Sequence, residues 1–255
     1  MPKELLCVAP KKLDWREYEP PPLKPDQVRI KSAFAAAKHG TEMSLYKGAV
    51  NERGAYLNEY QLFDPAQKAS WGTFPAGVGN MVVGTVTETG SDVKTLKTGD
   101  RALAYGSFKD VHTTAAAGCY KMPKELSWKS AVLLDPADFA LAAVRDGHVR
   151  VGDAVAVFGL GAIGLVIVQL AKQSGAYPVV AVDMLPIRLE AAQKCGADAV
   201  LDPSKCDAGL ELKKLTGKRG VDVAIEYSGS HRALQAALRG VAYGGRVVCG
   251  AFPTP

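Results

Sequence analysis

The sequence lacks paired cysteines, a long apolar run and an aromatic-rich basic segment. Its five cysteines are scattered over 255 residues, and no two of them form a C-x-x-C motif. An odd, scattered set excludes a disulfide framework and indicates a reducing compartment. No apolar run approaches the roughly 20 residues of a membrane span, and the first residues lack the apolar core of a signal peptide. These absences predict a cytoplasmic protein without a membrane partner.

The chain also lacks a concentrated charge of either sign. Its formal net charge of +5 is spread along the sequence, and aromatic residues make up only 7% of it. The basic pairs Lys11–Lys12, Lys213–Lys214 and Lys218–Arg219 are not interleaved with aromatic side chains. This pattern is typical of solvated faces, and some of the charge would attract an anionic cofactor. We therefore expect no nucleic-acid partner.

Two patterns of secondary structure follow one another along the chain. Up to about residue 125, short β-branched segments such as 28–30, 82–87 and 111–113 alternate with turns rich in Pro and Gly. Residues 127–145 then show helical spacing, and Pro136 is expected to kink or interrupt that helix. The sequence therefore predicts a β-rich domain over 1–125 and a connecting helix within 126–150.

After residue 150 the pattern becomes an alternation of strand and helix, which predicts a third segment over 151–255. The expected strands share a short apolar run, and they lie near 154–158, 178–183, 199–201, 221–226 and 245–249. Helix-boundary residues separate them, with Gly175 and Gly196 suited to helix ends and Ser230 to a helix start. This βαβ succession predicts a parallel sheet with right-handed crossovers.

A glycine-rich turn follows the first of these strands. Gly159, Gly161 and Gly164 fit a tight turn, a close approach of backbone to a pyrophosphate and close packing of helix on strand. Nineteen residues further on, Asp183 ends the second strand, where a carboxylate accepts ribose hydroxyls and repels a 2′-phosphate. The arrangement predicts NAD in preference to NADP. A glycine-rich turn without a cofactor is the alternative interpretation.

Taken together, these features resemble the medium-chain dehydrogenase/reductase superfamily, which includes the zinc alcohol and polyol dehydrogenases. The motifs carrying the resemblance run along the chain: Gly40–Glu42, Tyr46–Gly48, Phe74–Pro75, Gly84, Gly99–Arg101, Cys119–Pro123, Asp135–Pro136, Gly159–Gly164, Asp183 with Arg188, and Ser228–Gly229. The resemblance implies an α/β fold, with a GroES-like β-rich domain followed by a Rossmann doubly wound parallel sheet. It also implies a cofactor site made of Gly159, Gly161, Ala162, Ile163, Gly164, Asp183, Arg188, Ser228 and Gly229.

The sequence departs from the zinc-binding members at their ligand positions. Those members carry Cys-Gly-Thr/Ser-Asp and Gly-His-Glu, whereas this chain has His39-Gly40-Thr41-Glu42 and Gly79-Asn80-Met81. Asn and Met are poor zinc ligands, and a catalytic zinc needs three protein ligands, so His39 and Asp135 alone would hold it weakly. The four-cysteine lobe of the structural zinc is absent as well. We expect no metal site, and the His-Gly-Thr-Glu form resembles a zinc-lacking branch that includes bacteriochlorophyllide-type dehydrogenases.

Without zinc, side chains must deliver the proton that accompanies hydride transfer. Thr41 matches the relay hydroxyl of the zinc members, and His39 and Glu42 flank it, so these three are the candidate catalytic residues. A histidine that titrates near neutral pH suits general acid catalysis. Structural roles for His39 and Glu42 within their own loop are the alternative.

The resemblance favours an NAD-dependent oxidoreductase that acts on a small alcohol or carbonyl substrate. An NADPH-dependent quinone or enoyl reductase and a nucleotide-binding protein without activity are the alternatives. The sequence ends after the fifth strand, whereas the superfamily continues with a sixth strand that commonly pairs across a dimer. The sheet is therefore expected to be truncated, and the resemblance leaves a homodimer open.

Overall fold

The fold is described from a computed structural model over residues 1–48, 54–67 and 73–251. The chain divides into two compact units, Met1–Leu134 and Asp135–Pro255. The division falls inside the segment 126–150 that the sequence predicts to be the connection.

The first unit is built mainly from antiparallel strands. Its elements in chain order are β1 Lys3–Ala9, β2 Lys12–Glu17, β3 Gln27–Ala36, α1 His39–Lys47, β4 Ala55–Leu57, β5 Leu62–Asp64, β6 Ala76–Gly77, β7 Met81–Thr89, β8 Arg101–Tyr105, β9 Val111–Ala115, β10 Cys119–Lys121 and α2 Trp128–Ala131. The largest sheet has the order β10-β8-β7-β3-β9, and a smaller one has the order β2-β1-β6. Alternating β-branched residues put Val28, Ile30, Val82 and Val86 into one buried cluster.

Glu4 ties the smaller sheet to the segment that precedes β9. Its carboxylate is 3% exposed, and it lies 2.6 Å from Lys109 Nζ and 2.5 Å from Arg16 Nη2. Burial alone would raise the pKa of this carboxyl, but the bonds from Lys109 and Arg16 outweigh it and lower the pKa. Glu4 therefore remains ionised inside the unit because two cations pair with it.

The second unit alternates helix and strand. Its elements are α3 Leu134–Asp146, which begins at the boundary, β11 Val155–Phe158, α4 Ala162–Gln173, β12 Val179–Val182, α5 Pro186–Lys194, β13 Ala199–Leu201, α6 Ala208–Leu215, β14 Val221–Glu226, α7 His231–Gly240 and β15 Val241–Cys249. The five strands form a parallel sheet in the order β13-β12-β11-β14-β15. This is an α/β fold with the strand order of a doubly wound sheet, in which the direction of winding reverses between β11 and β14.

Helices cover both faces of this sheet, which explains why the neighbouring strands β11 and β12 are apolar throughout. Val155 and Val157 of β11 pack with residues of α3 and α4 on one face. Ala156 and Phe158, which alternate with them, pack with residues of α6 and α7 on the other. A strand buried on both faces gives the continuous apolar run from which the sequence predicts it.

Three sequence-based details differ from the structure. The helical segment 127–145 is interrupted as expected, but the interruption is at Val132 and Leu133, between α2 and α3, and Pro136 lies in the first turn of α3, where its missing N–H costs nothing. The fifth strand begins at Val241 instead of near residue 245. Ser230 occupies the position before α7, but its side chain makes no capping hydrogen bond.

The early start of β15 produces a bulge at the amino edge of the sheet. Val241 pairs with Val221 and Arg246 pairs with Val223, so residues 242–245 lie between these two pairs opposite the single residue Asp222. Tyr243 in the bulge is fully exposed. Beside it, Arg219 and Arg246 are ion-paired with Asp222 and Asp153, respectively.

Within the described ranges, no helix is both long enough and apolar enough to cross a membrane.

Candidate cofactor and catalytic residues

A glycine-rich turn joins β11 to α4 at the carboxyl edge of the parallel sheet. Gly159 has φ +86°, and a Cβ there would lie 2.5 Å from the backbone nitrogen of Ser228. A Cβ at Gly164 would lie 1.9 Å from the carbonyl oxygen of Gly159. Both positions therefore need glycine, the first for its conformation and its close neighbour, the second for the packing of α4 on the turn.

The turn points the start of α4 at this edge. Gly161 precedes the helix, and the first helical hydrogen bond runs from Leu165 N to Gly161 O at 3.0 Å. The N–H groups of Ala162, Ile163 and Gly164 consequently have no acceptor within the helix. Free N–H groups and the positive end of the helix dipole favour a phosphate group at this position.

Asp183 lies beside the turn, immediately after β12. Its Oδ2 accepts a hydrogen bond from Leu160 N at 2.8 Å, and its Oδ1 accepts one from Leu185 N at 3.0 Å. Arg188 Nη1 approaches Oδ2 at 3.3 Å, and the Asp183 side chain is 8% exposed. A carboxylate has about four acceptor positions, so one remains for a ligand hydroxyl, and the long Arg188 contact can be exchanged for a second.

Ser228 and Gly229 follow β14 at the same edge of the sheet. The last residue of β14, Glu226, also lies there and was not among the residues predicted from the sequence. The Glu226 side chain is 3% exposed, and its Oε1 accepts hydrogen bonds from Ser228 N at 2.6 Å and Gly229 N at 3.1 Å. A carboxylate at the end of the apolar strand Val221–Glu226 was the available signal, because burying it requires donors. The structure thus brings all the predicted cofactor residues to one edge of one sheet.

The three candidate catalytic residues lie in the first unit, on helix α1. His39 begins that helix and Thr41 lies in its first turn, and the side chains of both are outside the described part of the structure. Glu42 is half-buried, and its Oε1 accepts a hydrogen bond from Gly79 N at 2.9 Å. Burial raises the pKa of Glu42, and backbone hydrogen bonds only partly offset this effect.

The positions where zinc-binding members carry their second ligand do not fit a zinc ion. Met81 is fully buried in β7, where it packs with Val83 and Leu103. The backbone of Asn80 is held in place by hydrogen bonds to Ala36 and from Gly106. Across the residues that the structure describes, no three His, Cys, Asp or Glu side chains form a group able to hold a metal. A thioether in an apolar cluster and an amide are unsuitable donors for zinc.

Comparison with known proteins identifies the family. A family model described as zinc-binding dehydrogenase matches residues 162–255, which lie in the second unit. D-guloside 3-dehydrogenase of Escherichia coli K12 is 44% identical over 264 aligned positions, covering 99% of this chain and 74% of that protein. (R,R)-butanediol dehydrogenase of Bacillus subtilis is 32% identical, covering 76% of this chain and 66% of that protein.

A solved structure agrees with these relatives. The crystal structure of 2R,3R-butanediol dehydrogenase from Bacillus subtilis matches all of this chain and 78% of its own, with a TM-score of 0.82 and 26% identity. The fold and the relatives define an oxidoreductase of the alcohol dehydrogenase-like kind. The chain belongs to the medium-chain dehydrogenase/reductase superfamily, among the zinc-type alcohol and polyol dehydrogenase-like proteins. The bacteriochlorophyllide-like branch expected from the His-Gly-Thr-Glu motif is not represented among the relatives described above.

Proposed function

We propose that this protein oxidises a secondary hydroxyl group of a polyol or sugar derivative with NAD, or reduces the corresponding carbonyl with NADH. The observation that carries the proposal is the glycine-rich turn with Asp183 fixed beside it at the carboxyl edge of the sheet. The relatives support the substrate class, because their names place them as dehydrogenases of a guloside and of butanediol. Both names describe molecules with hydroxyl-bearing carbons.

The cofactor fits the second unit. The N–H groups at the start of α4 would hold the pyrophosphate, and the absence of a side chain at Gly161, the residue before the helix, would let it approach the backbone. Asp183 would accept the hydroxyls of the adenosine ribose, and its charge would oppose a 2′-phosphate. When bound, NAD supplies the acceptor for the hydride that leaves the alcohol carbon.

The alcohol must also lose its hydroxyl proton, and we assign this task to α1. Thr41 would receive the proton at its hydroxyl oxygen and pass its own proton to His39, so that charge and protons balance. Glu42 accepts a hydrogen bond from Gly79 N and would hold the segment before β7 in place. Its carboxylate would also remain available as a proton acceptor. The donors at Asn80 and Met81 do not fit zinc, so no step of this scheme involves a metal.

The cofactor assignment is tested by binding and by one substitution. NADH and NADPH are titrated against the wild-type protein and against Asp183→Gly by calorimetry. We expect the wild type to favour NADH by more than about tenfold, or about 1.4 kcal/mol, and Asp183→Gly to narrow or reverse this preference. Asp153→Asn, which removes a carboxylate at the opposite edge of the same sheet, is the matched control and leaves the preference unchanged.

The outcomes separate the competing functions. A wild-type preference for NADPH contradicts the role of Asp183 and favours a quinone or enoyl reductase. NADH binding without turnover on any of a panel of polyols, glycosides and ketones identifies a nucleotide-binding protein without activity. NAD-linked turnover on the hydroxyl substrates supports the proposed dehydrogenase.

A further inference from the structure

Among the residues that the structure describes, the hydrogen-bond donors to the buried carboxylate of Glu226 belong to a single loop. All three donors to its Oε1 lie in that loop: Ser228 N, the Ser228 hydroxyl and Gly229 N. A carboxylate that is 3% exposed carries a large desolvation cost, which short charge-assisted hydrogen bonds offset. The interaction therefore fixes the loop 227–229 relative to the end of β14.

The same loop lies against the first glycine of the turn. Tyr227 N donates to Phe158 O at 2.8 Å, and a Cβ at Gly159 would lie 2.5 Å from Ser228 N. There is consequently no space between the loop and the turn. A shift of the loop by an ångström would change the shape of the surface that the turn presents.

The strand order shows which half of a dinucleotide the loop would face. β12, which carries Asp183, and β14, which carries Glu226, lie on opposite sides of β11. A dinucleotide in a doubly wound sheet lies across this edge with its pyrophosphate at the glycine-rich turn. If Asp183 marks the adenosine half, the loop 227–229 adjoins the nicotinamide half.

We propose that Glu226 is a positioning residue for the nicotinamide half of the cofactor. It acts through the loop 227–229, whose backbone it holds against Gly159, and it does not touch the cofactor itself. This inference rests on the proposed function, because it presupposes that NAD binds at this edge. It assigns a task to an acid that the sequence motifs leave unexplained.

Two ligands that differ only in the nicotinamide group test the proposal. NADH and ADP-ribose, which lacks nicotinamide, are titrated by calorimetry against wild type, Glu226→Ala and Glu226→Gln. We expect Glu226→Ala to weaken the binding of NADH by about tenfold, equal to about 1.4 kcal/mol. The binding of ADP-ribose should weaken by less than about twofold. Glu226→Gln keeps an acceptor oxygen for the loop N–H groups and should restore NADH binding to within about threefold of wild type.

The controls separate a positioning role from a purely structural one. Asp153→Asn, at the opposite edge, should change neither affinity. Equal losses for both ligands in Glu226→Ala, or no rescue by glutamine, would overturn the proposal, as would unchanged NADH binding. If Glu226→Ala does not fold, Glu226→Asp decides the matter, because the shorter acid withdraws its oxygen from the N–H groups of the loop and should weaken the binding of NADH alone. A wild-type protein that binds neither ligand refutes the proposed function itself.

Discussion

At the scale of single residues, three carboxylates illustrate how surroundings assign different roles to one functional group. Asp183 is held by two backbone N–H groups and keeps acceptor capacity toward solvent. The Oε1 atom of Glu226 accepts hydrogen bonds from three donors of one loop. Glu42 accepts a backbone hydrogen bond from Gly79 N, and burial raises its pKa, so it retains a proton to higher pH than an exposed glutamate does.

The proton-transfer residues are tested by removing one group at a time. We expect Thr41→Val and His39→Ala each to lower turnover by about 10²- to 10⁴-fold, because general acid–base assistance contributes that much. The dissociation constant of NADH should stay nearly unchanged, since the residues that would bind the cofactor lie in the second unit. Steady-state kinetics and calorimetry on the same preparations measure both quantities.

Thr87→Val is the matched control, since it removes an exposed hydroxyl from β7 of the same unit. Its turnover should equal that of the wild type. Unchanged rates for both Thr41→Val and His39→Ala would assign these residues a structural role in α1 instead.

At the scale of secondary-structure elements, β9 contains a buried histidine inside the first unit. His112 is 8% exposed, its Nε2 has no hydrogen-bond partner among the described residues, and its ring packs against Gly106, where a Cβ would lie 2.7 Å from Cε1. Burial, with a smaller contribution from the charge of Lys109, lowers its pKa from 6.5 to about 4. The imidazole of His112, in the part of β9 that pairs with β3, is therefore neutral.

This burial predicts a loss of stability in mild acid. Between pH 6.5 and about 4 the unfolded chain binds a proton at His112 that the folded chain does not, so the free energy of unfolding falls as the pH falls. The contribution should amount to about 1.5 kcal/mol between pH 6.5 and 5. Urea denaturation at several pH values measures it, with His112→Asn as the test and His231→Gln as the control.

In His112→Asn the fall in stability over this pH range should become smaller, whereas His231→Gln should behave like the wild type. Equal pH dependence in all three proteins would show that the imidazole is protonated in the folded state.

The elements also show what the sequence does and does not encode locally. Strands β11 to β14 agree with the sequence prediction to within a residue; β11 and β12 are buried on both faces and consist of apolar residues alone, and β13 and β14 are mainly apolar. β15 was predicted to begin four residues too late, because Tyr243, Gly244 and Gly245 form a bulge that depends on pairing with β14. The hydrogen bonds of Glu226 are not predicted for a similar reason, since their donors are identified only once the loop is folded.

At the scale of the whole molecule, the residues at the zinc-ligand positions predict how much metal the protein holds. The superfamily includes zinc enzymes, yet Met81 lies in an apolar cluster and Asn80 replaces a histidine. We predict that the purified and dialysed protein holds far less than one zinc ion per chain. Elemental analysis measures this, with a known zinc protein as the positive control. A zinc content near one per chain that disappears in His39→Ala would contradict the prediction.

The two edges of the parallel sheet differ in a way that matters for protein engineering. The carboxyl edge carries the candidate cofactor residues, whereas the bulge 242–245 lies at the amino edge with Tyr243 fully exposed. Along β14 the edges are five residues apart, or about 17 Å at the rise of a strand. Exposed loop tips tolerate inserted sequence well. A peptide tag or a fusion partner placed between Tyr243 and Gly244 would therefore disturb the cofactor edge least.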